Sequence, residues 1–304
     1  MGKAVAAGGA GGAADPGGRR NRRMQMSDND AQADYWSSDA GRKWITHEAA
    51  MDASMTAVLD RVLALAALAP GQRVLDIGCG AGATTGAAAA RVGPTGHVTG
   101  ADISAPLLAR ARERFAGADR IDFLRADAQT HDFGGARFDR VISRFGVMFF
   151  ADPETAFANI RRAMLPGARL AFACWGDPAH IPWFAIPAGI AAARLGPAPE
   201  AEPTAPGPTA FRDAARVRDI LSAAGFSDVG SVTENIPIRP PGTLRDVAEL
   251  AGNLGPASFL LRHHEGDAED RRFIVDGIAA ALPPYETETG ITLPCEVHLI
   301  TATA

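Results

Sequence analysis

The stretch Val74–Gly82, VLDIGCGAG, carries an apolar run into a loop with glycine at 78, 80 and 82. Glycine loses more conformational freedom on folding than any other residue, so three this close mark a place where the main chain turns sharply or is closely approached. An acid, Asp76, stands two residues ahead of the first glycine. An Ala-rich run over 83–92 follows, so the segment reads as a buried strand, a tight loop and a helix.

Working outward, the same alternation continues. Strands are expected near 73–77, 97–101, 121–125, 138–142 and 168–174, and helices over 83–92, 105–116 and 153–164. Continuous apolar strands separated by helices imply right-handed crossovers and a parallel sheet covered on both faces. The later segments RDAARVRDILSAAGFSDVGSVTENIPIRP and LPCEVHLITATA add a helix, a strand and a final strand. The expected fold is α/β: a doubly wound, mostly parallel, seven-stranded Rossmann-like sheet with an N-terminal helical segment and lid insertions.

Around that core, residues 1–30 are Gly/Ala-rich and charged, with too little apolar surface to offset ordering, and are expected to be a disordered tail. Met24 or Met26 is an alternative start. Residues 31–69, with Trp44, Met51, Met55, Val58, Val62 and Leu63 at helical spacing, read as one or two helices capping the front of the core at 70–175. Lid insertions are expected at 176–210 and 241–290, separated by a core helix and strand at 211–240 and followed by the final strand at 291–304.

Composition narrows the function. The chain has 304 residues, 47% of them hydrophobic and 21% charged, with a formal net charge of -5, so nothing favours a polyanionic partner such as nucleic acid. Its three cysteines, Cys79, Cys174 and Cys295, lack CxxC spacing, which speaks against a disulfide framework or a zinc site and for a reducing cytoplasm. No apolar run is long enough for stable membrane insertion. The run His263-His264-Glu265 reads as a solvated turn, because adjacent histidines diverge on a helix; no metal is expected. Neither a phosphate loop GxxxxGK[ST] nor a nucleophile elbow GxSxG is present.

In a doubly wound sheet the ligand binds beyond the carboxyl ends of the strands. Those ends carry Gly78-Cys79-Gly80-Ala81-Gly82, then Asp102-Ile103 in VTGADIS, Asp127-Ala128 in FLRADAQT, and Ser143-Arg144-Phe145 in SRFGVMFF. Gly78, Gly80 and Ala83 also satisfy a relaxed dinucleotide pattern, GxGxxA. Asp76 separates the two readings: it would repel a pyrophosphate and attract a cationic amino-acid group. Singly, each acid could be a helix cap or turn residue; at three consecutive strand ends they form a set of acceptors.

These motifs resemble the class I S-adenosylmethionine-dependent methyltransferases, the group that includes ubiquinone and menaquinone C-methyltransferases and many small-molecule methyltransferases. LDIGCGAG matches the family's acid-x-Gly-x-Gly-x-Gly at Asp76, Gly78, Gly80 and Gly82; FDRVISRFGVMFF and RRAMLPGARLAFACW match its fourth-strand and fifth-strand segments. The resemblance implies S-adenosyl-L-methionine as cofactor. It also implies a ribose-binding role for Asp102 with Ile103, an adenine-contacting role for Asp127 and Ala128, and cofactor contacts from Asp76, Cys79, Ser143 and Phe145. Thr84 and Thr85 read either as ligands of the cofactor carboxylate or as plain first-turn helix residues.

The implied activity is in-line transfer of a methyl group to oxygen, carbon or nitrogen of a small, apolar or aromatic acceptor. For a hydroxyl acceptor a base would help, and His47, His180 and Arg144 are the nearest candidates, each histidine equally readable as a packing or surface residue. Trp44 and Trp183 are expected to line the acceptor chamber, with Met148 facing the transferred methyl. Rival readings are a cofactor-binding enzyme of other chemistry, an inactive cofactor-binding regulator, and an NAD-dependent reductase.

Overall fold

The computed structural model describes residues 29–135, 137–200 and 202–304. The expected tail lies outside the described residues except for Asn29 and Asp30. Asn29 is buried and Asp30 opens a helix, because the Asn29 amide is bonded into the core.

The N-terminal region forms four short helices, α1 (Asp30–Ser37), α2 (Asp39–Thr46), α3 (Glu48–Ser54) and α4 (Thr56–Ala66), where one or two were expected. The breaks fall at Ser38, His47 and Met55, whose backbones leave helical geometry. Each break redirects the chain so that it wraps the core instead of projecting from it.

The core then alternates as its periodicity predicts: β1 (Arg73–Ile77), α5 (Ala83–Val92), β2 (His97–Asp102), α6 (Ala105–Arg114), β3 (Ile121–Arg125), β4 (Phe138–Arg144), α7 (Pro153–Ala163) and β5 (Met164–Trp175). Starts are set by local caps: Ser104 accepts from the Leu107 amide, and Asp152 from the Thr155 amide, each ahead of a helix with proline in its first turn. The first insertion contributes α8 (Pro182–Leu195). After it come α9 (Ala214–Ala223) and β6 (Ser227–Asn235). The second insertion holds α10 (Leu244–Asn253), α11 (Gly255–His263), α12 (Ala268–Ala281) and the two-residue strands β7 (Glu286–Thr287) and β8 (Gly290–Ile291), before β9 (Glu296–Thr303).

Seven strands form one sheet in the order β3-β2-β1-β4-β5-β9-β6. The first five pair in parallel, and β9 runs antiparallel between β5 and β6. The order reverses between β1 and β4, which is where such sheets open a crevice at their carboxyl ends. Gly78 shows how tight that point is: a Cβ there would fall 2.6 Å from the Gly146 Cα in the turn after β4. Helices α8, α10, α11 and α12 pack mainly on one another, with Ala191, Val247, Ile274 and Ile278 buried between them. No helix among the described residues is long and apolar enough to cross a membrane.

Candidate active site

The loop after β1 uses its glycines differently. Gly78 (φ +67°) lets the β1 and β4 turns touch, whereas Gly80 (φ +54°) has nothing within 4 Å of where a Cβ would stand. Gly82 (φ +86°) backs onto the Phe115 and Phe123 rings, so it serves packing and does not face the crevice. Two of the three glycines thus make the cradle: the first brings the walls together and the second leaves its floor bare.

Asp102 ends β2 over this cradle. Its Oδ2 accepts from the Gly80 amide and its Oδ1 from the Ser104 amide, both at 2.8 Å. Burial raises its pKa, and the Ser104, Gly80 and Ile103 amides oppose that shift. A carboxylate has about four acceptor sites, so each oxygen keeps one for a ligand hydroxyl. At the end of β3, Asp127 Oδ1 accepts from the Gln129 amide and from Asn29 Nδ2, both at 2.9 Å. Asn29 also accepts from the Ala151 amide, fastening the start of α1 over the strand ends.

Asp76 lies behind the loop. It is buried, its Oδ2 accepts from the Thr85 hydroxyl at 2.7 Å, and its Oδ1 has no partner among the described residues. Burial pushes its pKa up to about 7, against the pull of Thr85 and Arg144. Ser143 donates to the Ile77 carbonyl at 2.7 Å and accepts from the Gly146 amide, stapling β1 to the turn after β4. Phe145 holds a left-handed backbone (φ +63°) and stacks on Trp175 with centroids 3.6 Å apart.

One cavity of about 460 Å³ covers these strand ends. Gly78, Cys79, Gly80, Asp102, Ile103, Asp127, Ala128 and Phe145 line it; Asp76, Gly82, Thr84, Thr85 and Ser143 stand behind its wall. Its opposite side comes from the helices around the core, with Trp44, Trp183 and Met148 among the lining side chains. Trp36, which the sequence reading passed over, meets Trp44 and Phe149 edge to face at 6.1 and 5.3 Å.

The expected bases are placed less favourably. His180 is exposed, with Nδ1 2.7 Å from the Glu296 carboxylate, which raises its pKa and holds it outside the cavity. His47 caps α2 away from the lining, and burial with nearby Arg271 and Lys43 lowers its pKa. One turn earlier on α2, Lys43 reaches the cavity instead. Arg144 does line it, but as a cation whose NH2 donates to Asp52 Oδ1 at 3.1 Å; a guanidinium cannot act as a base. Asp52 also receives Arg114 at 3.0 Å, and Arg110 pairs with Glu48. The pattern was present in the sequence as carboxylates at 48 and 52 facing arginines at 110 and 114, two matching i,i+4 pairs on α3 and α6.

His264 bonds the Pro197 carbonyl, and no cluster suited to a metal ion occurs among the described residues.

The chain is similar to known proteins. A family model described as a methyltransferase domain matches residues 74–167. Nocamycin O-methyltransferase from Saccharothrix syringae is 33% identical over 196 residues, covering 60% of this chain and 69% of the relative. Demethylmenaquinone methyltransferase from Clavibacter sepedonicus is 35% identical over 120 residues, covering 39% of this chain and about half (48%) of that relative's length. Among solved structures, the YcgJ protein of Bacillus subtilis superposes with a TM-score of 0.51 at 17% identity, covering 81% of this chain and 97% of the other, which speaks to the fold alone.

Proposed function

Because the chain belongs to the class I S-adenosylmethionine-dependent methyltransferases, we propose that it methylates an oxygen of a small aromatic or otherwise apolar molecule. The observation that carries this reading is that one cavity is lined by the acidic, glycine-rich strand ends and by Trp44, Trp183 and Met148. The family uses S-adenosyl-L-methionine as cofactor. The residues fit it: a bare main-chain floor at Gly80, and two cavity-facing carboxylates with spare acceptor sites at Asp102 and Asp127. When bound, the cofactor supplies an electrophilic methyl on its sulfonium.

The chain's own residues supply the rest. Asp102 holds the ribose hydroxyls, Asp127 and Ala128 bound the base, and Gly78 to Gly80 make room for the amino-acid portion. Asp76 sets the field behind that portion. Arg144 is a positioning residue: anchored on Asp52, it ties the end of β4 to α3 and keeps the lid seated on the strand ends. The aromatic walls exclude water and fix the acceptor's orientation, the main source of rate for a displacement between two held partners. The choice of oxygen is supported by the likeness to an O-methyltransferase across 60% of the chain.

The test is incubation of the protein with methyl-labelled cofactor and a metabolite extract, followed by mass spectrometry. A labelled product heavier by one methyl group, formed only with active protein, is the expected result. Consumption of cofactor without such a product overturns the reading.

A further inference from the structure

The lid side of the cavity contains a feature that an apolar acceptor alone does not explain. Lys43 on α2 and Arg262 on α11 both line it, and both donate to the same hydroxyl: Ser258 Oγ accepts from Lys43 Nζ at 3.1 Å and from an Arg262 terminal nitrogen at 2.9 Å. Ser258 is buried, Lys43 half-buried and Arg262 exposed, so two cations converge on one buried neutral atom. Among the described residues neither cation has a carboxylate within ion-pair distance. Asp39, the acid whose field reaches both, is exposed and already paired with Arg42. Asp52 shares the cavity but is held between Arg144 and Arg114. A third cation, Arg271, stands close enough to act on Lys43 and is bonded to Asn253 on the cavity wall.

Like charges brought together repel, and the acid that opposes this, Asp39, is exposed and already engaged by Arg42. Burial, Arg262 and Arg271 accordingly lower the Lys43 pKa. A hydrocarbon entering between these groups would deepen the penalty, whereas one anionic oxygen group would relieve it and accept from both donors at once. Trp36, Trp44 and Trp183 supply apolar wall for the remainder of such a molecule.

We propose that the acceptor is a flat, apolar organic acid whose single anionic oxygen group is bound between Lys43 and Arg262, bridging the two lid elements. This deepens the methyl-transfer reading and rests on it for the identity of the cavity. Binding of the acid links α2 to α11 by two charge-assisted hydrogen bonds in place of two cations sharing one hydroxyl.

The test compares two probes of one shape, 2-naphthoate and the uncharged 2-naphthamide, titrated into the full chain loaded with S-adenosylhomocysteine and followed by tryptophan fluorescence. Two hydrogen bonds to a charged group predict that naphthoate binds about tenfold or more tightly than naphthamide. Lys43→Met and Arg262→Met should each remove most of that preference, weakening naphthoate more than naphthamide and leaving S-adenosylhomocysteine affinity unchanged. Equal affinity for the two probes, binding of neither, or a preference that survives both substitutions overturns the proposal. The comparison in the unsubstituted chain decides the matter even if a variant fails to fold. Two results separate this proposal from the reading beneath it. Failure of the unsubstituted chain to bind S-adenosylhomocysteine overturns both. Normal binding and a labelled methyl product, with indifference to probe charge, overturns the acid alone.

Discussion

The two sides of the cavity are held by different kinds of bond. On the strand-end side the key groups are fixed by main chain: Asp102 by the amides of Gly80 and Ser104, Ser143 by the Ile77 carbonyl, and the Gly78 turn by contact with Gly146. On the lid side they are fixed by other side chains, through aromatic edges at Trp36 and through long charged groups running from α2 and α3 to α6 and α11. Main-chain anchors change only if the fold changes. Side-chain anchors change with single substitutions. A cofactor site common to many enzymes therefore belongs on the first side, and an acceptor site that differs between them on the second.

That contrast can be broken from either side. The largest effect is expected from Asp102→Ala, which removes the buried carboxylate proposed to accept two ligand hydroxyls. At about 1.5–3 kcal/mol per charged hydrogen bond, affinity for S-adenosylhomocysteine should fall about a hundredfold or more. Calorimetry showing unchanged affinity would remove β2 from the site. Next comes Trp183→Ala on the lid. Trp183 is only 6% exposed, so truncation should cost about 3–5 kcal/mol of stability. The less buried Trp44→Ala should lose turnover with little loss of stability or cofactor affinity. If instead both variants weaken cofactor binding as Asp102→Ala does, the two sides are not separable.

Gly78→Ala sharpens the strand-end half. The added Cβ meets Gly146 main chain at 2.6 Å and sits at a left-handed φ, so a destabilisation of about 1–3 kcal/mol is expected, with weaker cofactor binding, by thermal melting and calorimetry. The last effect, one of pH, concerns Asp76. Its carboxyl is raised from 3.8 to about 7 in the fold, so the native state holds this proton more tightly than the unfolded chain. The stabilisation is therefore complete below about pH 4 and is lost as pH rises through about 7. Cofactor-free protein should lose melting temperature between about pH 5 and about pH 8 relative to Asp76→Asn, whose side chain cannot ionise. Parallel pH profiles for the two proteins would show that burial of Asp76 is not felt as charge.

The same contrast explains what could be read from the sequence. The strands and helices of the core were legible because apolar runs and glycine turns are local, and β3 begins and ends where its periodicity places it, at Ile121 and Arg125. Asp102 and Asp127 reach the cavity because a strand end fixes both position and direction. The antiparallel placement of β9 between β5 and β6 was not legible, since nothing local sets strand order. Nor were the breaks at His47 and Met55, which turn a continuous helical pattern into a wrap. His180 looked like a base by its position just after β5; Glu296, more than a hundred residues later, decides where its ring goes. Lys43, Ser258 and Arg262 escaped for the same reason, because residues 215 positions apart meet only through the packing of α2 on the second insertion.

Hydrogen–deuterium exchange with and without S-adenosylhomocysteine tests most directly whether the cofactor sits on the main-chain side and leaves the lid side for the acceptor. The account predicts that the ligand slows exchange chiefly in the loops at 78–82, 102–104 and 127–129, with smaller changes in α8 and α11. Stronger slowing in α8 and α11 than in those loops would contradict it.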